Sequence, residues 1–159
     1  MIRVGLGVDV HPFVAGRPLV LGGVEVAAER GLAGHSDADV LSHAVADALL
    51  GALALGDLGQ HFPDDDPRYA GISSLRLLAA VLERVRARGG RPVNVDATLV
   101  AEAPRLAGTL DAMRKQLAAT LGLAADRVSV KAKRAERLGA LGRAEGIAAL
   151  AVALVEVAE

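Results

Sequence analysis

Nine consecutive apolar residues, IAALAVALV at 147–155, constrain this chain more than any other stretch. The run is far too short to cross a bilayer, which takes about 20 helical residues, and it reads as a strand buried in a core. A buried strand needs cover, and the rest of the sequence supplies it. The start IRVGLGVDV reads as a strand, and RPLVLGGVEV as two short strands broken at Gly22 and Gly23. From Ser36 to Leu55 the period changes. Val40, Leu41, Ala44, Val45, Ala48 and Leu49 recur at helical spacing, with Ser36 the expected N-cap and Asp37 and Asp39 in the first turn. The loop GDLGQHFPDDDP follows, then an amphipathic helix over 73–88 ended by Gly89 and Gly90. PVNVDATLVAEAP reads as a strand stopped at Pro104, residues 108–121 as a third helix, and RVSVKAKR and the apolar run as the last strands. This order, without repeats or a linker, predicts an α+β fold with helices layered on one mixed sheet, in a single domain over 1–159.

Composition narrows the function. A chain of 159 residues can build an ordinary core without disulfides. With no cysteine, a transition-metal site must use imidazole and carboxylate, and a thiol nucleophile is excluded. The net charge of −1 and only Phe13, Phe62 and Tyr69 as aromatics argue against a nucleic-acid partner. No leader precedes the first strand and no segment is suited to a membrane, so the expected location is the cytoplasm.

All four histidines, His11, His35, His43 and His61, fall in the first 61 residues. In an extended VDVHPF, the side chains of Asp9 and His11 project to the same side. On the following helix, Asp39, His43 and Asp47 share a face at steps of four. His43 is therefore the candidate third ligand beside Asp9 and His11. Two imidazoles and one carboxylate with an open fourth position are the donor set of a catalytic zinc or similar divalent metal. Asp47 is placed to accept the other ring N–H of His43. The plainer alternative is a chance Asp-x-His pair, with acidic residues near Ser36 that only cap a helix.

Residues 34–67, GHSDADVLSHAVADALLGALALGDLGQHFPDDDP, shift that balance. With DVHPF, GGVEV, NVDATLVAEAP and VSVKAKRAERLGALGRAEGIA, they resemble the 2-C-methyl-D-erythritol 2,4-cyclodiphosphate synthase family over nearly the whole chain. The resemblance implies a ferredoxin-like variant of the mixed sheet and a homotrimer whose sheets face the three-fold axis, with sites between subunits, in the bacterial cytoplasm. It implies cyclisation of 4-diphosphocytidyl-2-C-methyl-D-erythritol 2-phosphate with release of CMP. Asp9, His11 and His43 would hold zinc, and Glu136 a second ion, magnesium or manganese, on the diphosphate. His35 and Ser36 match phosphate contacts at a helix N-terminus, and Val10 matches a further substrate contact. Asp57, Leu58 and Gly59, with Phe62, Pro63, Asp64, Asp65 and Asp66, match the methylerythritol loop. Ala101, Glu102, Ala103, Pro104, Arg105, Leu106 and Ala107 match the cytidine pocket.

The chain departs from the family pattern at Lys133, Arg134 and Ala135, where threonines typically contact the diphosphate. Long cations there would take over phosphate contact, with Arg134 in the catalytic role. Ala140 is small where some relatives carry an aromatic, whereas Arg143, where relatives bind anionic isoprenoids, is retained. The rival readings are a metal-dependent phosphohydrolase and a non-catalytic nucleotide-binding trimer.

Overall fold

The computed structural model describes residues 1–158. The apolar run lies in β7 (Gly146–Val157), which pairs antiparallel with β1 (Ile2–Ala15) on one side and with β5 (Gly90–Val100) on the other. Hydrogen-bonded on both edges, β7 can bury Ile147, Ala149, Ala151, Ala153 and Val155 on one face at little polar cost. β4 (Arg30–Leu32) adds antiparallel to the outer edge of β1, and β6 (Val128–Lys133) adds parallel to β5, giving the order β4-β1-β7-β5-β6. The fold is thus α+β with a mixed five-stranded sheet. β2 (Leu19–Leu21) and β3 (Val24–Val26) form a separate antiparallel pair around Gly22 and Gly23.

Helix α1 (Val40–Ala52) packs directly on β1, because the strand carries glycine where the helix backbone crosses it. A Cβ at Gly5 would stand 1.8 Å from the carbonyl oxygen of Ala48, and one at Gly7 1.9 Å from that of Ala44. α3 (Ser74–Ala87) packs on α1 through buried Leu77, Leu78, Val81, Leu82 and Val85, and α4 (Leu110–Leu121) links β5 to β6. Of two short helices, α2 (Leu58–His61) lies in the stretch read as loop from sequence, and α5 (Gly139–Gly142) lies between the last two strands, where the sequence marked no element. β1 and β5 run parallel with β7 between them, a split β-α-β arrangement. The direct parallel pair of β5 and β6 is not part of a plain ferredoxin-like order.

The first helix corrects one expectation. α1 starts at Val40, four residues after Ser36, and its N-cap is Asp39. The Asp39 carboxylate is fully buried and accepts from the backbone N–H of Ser42, Gly22 and Gly23 and from the Ser42 hydroxyl. A carboxylate that ties the β2–β3 turn to the helix start outcompetes a serine as the cap. The Asp39 carboxylate therefore faces the Gly22–Gly23 turn and makes no hydrogen bond to the His43 ring; only its backbone carbonyl meets His43, accepting from His43 N at 3.0 Å.

The uncovered sheet face is apolar. Val4, Leu6, Val8 and Val10 of β1 and Leu150 and Val152 of β7 are all exposed there, on the side opposite α1. No helix among the described residues is long and apolar enough to cross a membrane.

Candidate metal centre and substrate cavity

Asp9 and His11 have the same strand parity as Gly5 and Gly7, so they project toward α1, where His43 comes down from the second turn. Asp9 Oδ2 lies 3.0 Å from His11 Nε2 and 3.0 Å from His43 Nδ1, and the two ring nitrogens are 3.3 Å apart. His11 Nδ1 donates to the Ala33 carbonyl at 2.6 Å, so a neutral imidazole would offer its Nε2 lone pair to a shared cation, whereas a protonated one donates from Nε2 to Asp9. Three donor atoms at these separations are the spacing of ligands each about 2 Å from one shared divalent ion. Imidazole and carboxylate suit such an ion, so the residues present fit a metal. Among the described residues it is the one group of His and acidic side chains so converged.

Electrostatics agree with the geometry. Burial opposes charge on Asp9, but the hydrogen bonds and charges of His11 and His43 outweigh it and bring its carboxyl down to about 2. The hydrogen bond to Asp9 raises His11 against the opposing effect of burial.

The cluster opens into a cavity of about 540 Å³ lined also by His35, Ser36 and Asp47, and on its far wall by Asp57, Leu58, Gly59, Phe62, Pro63 and Asp64. α2 positions part of that wall: Asp57 caps it by accepting from Gln60 N at 2.9 Å, and Asp47 accepts from Leu58 N at 2.7 Å. His35 Nε2 donates to the Asp66 carbonyl at 2.8 Å, tying the two walls together.

Several residues stand elsewhere than expected. Asp47 serves α2 and is pushed up by burial, while the second ring nitrogen of His43 meets Ser74 and Ser36 instead. A step of four along a helix puts residues on one face, but here α2 claims the carboxylate first. Val10 points to the bare face of the sheet, because neighbours in a strand alternate. Asp65 is exposed, and the Asp66 carboxylate pairs with Arg68 at 2.6 Å, both outside the cavity lining. Ser74 is the residue that sequence reading missed. Only its place at the start of the second amphipathic helix marked it.

Ala101, Glu102, Pro104, Arg105, Leu106 and Ala107, with Ala132, Lys133 and Arg134, line a second cavity of about 260 Å³. Ala103 is exposed beside it, joined to Pro104 by a cis peptide bond. Arg134 Nη2 donates to Glu102 Oε1 at 2.6 Å, and Glu102 Oε2 receives the backbone N–H of Arg137. That holds the turn in which Glu136 and Arg137 both take left-handed φ values of 53° and 63°. Glu136 is exposed on this turn and lines neither cavity, and Ala135 sits half-buried before it. Ala140 is exposed, and Arg143 pairs with Glu145 at 2.6 Å.

Residues 2–156 match the model of the YgbB family. The chain belongs to that family. A 2-C-methyl-D-erythritol 2,4-cyclodiphosphate synthase from Laribacter hongkongensis is 59% identical over 155 residues, covering 98% of this chain and 96% of that protein. The bifunctional IspDF of Campylobacter jejuni superposes with a TM-score of 0.96 at 40% identity, covering all of this chain, which spans 43% of the bifunctional one. A CDP-bound form of a 2C-methyl-D-erythritol-2,4-cyclodiphosphate synthase gives a TM-score of 0.89 at 36% identity, covering 97% of this chain and 100% of that one. This member of the YgbB family is an enzyme, a 2-C-methyl-D-erythritol 2,4-cyclodiphosphate synthase of the non-mevalonate isoprenoid route.

Proposed function

We propose that the Asp9, His11 and His43 cluster is the phosphate-facing centre of this synthase, with zinc as its metal. The observation that carries this is the convergence of three donor atoms at one end of a cavity whose other wall is lined by hydroxyl-accepting carboxylates. Bound there, zinc would neutralise and polarise phosphate oxygens. In the reaction the 2-phosphate of 4-diphosphocytidyl-2-C-methyl-D-erythritol 2-phosphate attacks its own β-phosphorus, and the bond to the CMP oxygen breaks. No protein nucleophile is needed, so the residues align and neutralise.

Asp57 and Asp64 are placed to accept from the methylerythritol hydroxyls, and His35 and Ser36 stand where a phosphate would lie. Cytidine belongs in the second cavity, a reading supported by the CDP-bound relative. Lys133 and Arg134 then face the diphosphate, and Glu136 would carry a magnesium or manganese ion for it. The two cavities of one chain have no lining residue in common, which supports a homotrimer in which one subunit's metal cluster meets its neighbour's nucleotide pocket.

Metal-stripped protein incubated with the substrate and followed by phosphorus NMR tests this reading. Cyclic diphosphate and CMP should appear only after zinc and magnesium are restored, and His43→Ala should lose both zinc content and turnover. A linear phosphate with CMP would point to hydrolysis instead, and undiminished turnover by His43→Ala would sink the assignment.

A further inference from the structure

We propose that Ser74 and Asp37 are positioning residues of the metal centre, a relay that biases His43 toward the one tautomer able to offer Nδ1 as a ligand. The proposal builds on the metal reading above. Ser74, at the first position of α3, is 1% exposed, and its hydroxyl has a single hydrogen to give. Two acceptors compete for that hydrogen: Asp37 Oδ1, in a close hydrogen bond, and His43 Nε2 at 2.8 Å.

The Asp37 carboxylate decides the direction. Its Oδ1 also accepts from Asp39 N at 3.2 Å, and its Oδ2 accepts from Ser74 N at 3.1 Å. Two backbone N–H groups already engage both oxygens of Asp37 as acceptors, and an ionised carboxylate can only accept, so the Ser74 hydrogen goes to Asp37. Toward His43, Ser74 Oγ then offers only a lone pair, which favours the ring hydrogen on Nε2. With a cation bound, Nδ1 is the bare nitrogen, 3.0 Å from Asp9 Oδ2 and 3.3 Å from His11 Nε2; without one, Asp9 Oδ2 competes with Ser74 by accepting a hydrogen from Nδ1. Ser36 Oγ, 3.2 Å from His43 Nε2 and 3.3 Å from Ser74 Oγ, accepts from Ala38 N, so its own hydrogen can serve Ser74 without disturbing this order. The backbone carbonyl of Ala33 does for His11 what Ser74 does for His43. Outer partners of this kind set which ring nitrogen meets a metal.

A purely structural role is the competing account, because Asp37 also accepts the Ser74 N–H at the start of α3 and the Ser73 side chain makes no capping bond. The two accounts differ in what moves. Capping alone would lower the unfolding temperature of the metal-free protein and leave zinc affinity untouched.

The experiment compares the parent chain with Ser74→Ala, Ser74→Thr and Asp37→Asn. Zinc affinity is read by chelator competition, and the His43 tautomer by nitrogen NMR on metal-free protein at a pH where the imidazole is neutral. Ser74→Ala should bind zinc about 10- to 100-fold more weakly, and Ser74→Thr, which keeps the hydroxyl, should stay close to the parent. In Asp37→Asn the carboxamide can donate to Ser74, releasing the hydroxyl hydrogen toward His43, so the Nδ1–H tautomer should gain population and affinity should fall. Because Asp9 Oδ2 draws the Nδ1 hydrogen in both proteins, the parent should differ from Asp37→Asn by a larger share of the Nε2–H tautomer. Zinc affinity unchanged in folded Ser74→Ala and Asp37→Asn, or an Asp37→Asn tautomer ratio equal to the parent's, would overturn the relay. A parent that takes up no zinc would instead sink the metal reading, and the tautomer measurement would still decide the relay.

Discussion

A carboxylate beside a diphosphate would repel it, and half-buried Glu102 lines the cavity proposed for the nucleotide, with 11% of its side chain exposed. Arg134 answers the charge with one guanidinium nitrogen, while 60% of its side chain remains exposed, so the rest of the fork is free for a phosphate. Arginine where the family typically has threonine is thus tied to the acid across the cavity. Removing the arginine alone leaves Glu102 unpaired and facing the substrate. Arg134→Ala should therefore raise KM for the diphosphocytidyl substrate on the order of tenfold. The double variant Arg134→Thr with Glu102→Gln, which removes the cation and the unpaired charge together, should recover most of the loss in steady-state kinetics. Equal KM values for the two variants would show that the pair does not act as a unit.

Elements carry the next constraint, since the metal cluster exists only where β1 and α1 touch. Glycines 5 and 7 permit that approach, and Gly7 is two residues from Asp9 on the same face. Gly7→Ala drives a methyl into the Ala44 carbonyl next to His43. It should destabilise the metal-free protein by about 1–3 kcal/mol or more in urea unfolding and weaken zinc binding as well, because strand and helix can separate only by parting Asp9 from His43. The strands and three main helices were legible in the sequence because their periods of two and 3.6 are local properties. So was the convergence of Asp9, His11 and His43, since Asp9 and His11 share a strand face and His43 falls on the next helix. The start of α1 was not legible: Asp39 wins the cap through donors on Gly22 and Gly23, sixteen or seventeen residues away. β4 exists because Phe13, Val14 and Ala15 offer an open edge to Arg30, Gly31 and Leu32, and three residues carry too little pattern to reveal it. Ser74 as the partner of His43 was hidden for a related reason, since α3 reaches α1 only through tertiary packing.

For the molecule as a whole, the uncovered sheet face and the two separate cavities pose one problem with one solution. Val4, Leu6, Val8, Val10, Leu150 and Val152 form an apolar stripe that a lone chain would leave in water. Covering it with copies of the same chain under three-fold symmetry would bury the stripe, and each metal cluster could then face a neighbour's nucleotide pocket. A mixing experiment tests the second half of that statement directly. His43→Ala disables the metal half of the site, and Ala107→Trp fills the second cavity from an exposed position, so each chain alone should be inactive. When equal amounts are unfolded and refolded together, sites built across subunits pair an intact metal half with an intact pocket about one time in four, so about a quarter of the parent activity should return. Sites built within single chains would give none, because every chain carries one defect. Leu6→Asp supplies the matching control: a charge in the stripe should reduce the assembly from three chains to one in analytical ultracentrifugation and abolish turnover, while zinc still binds because Asp9, His11 and His43 all belong to the same chain.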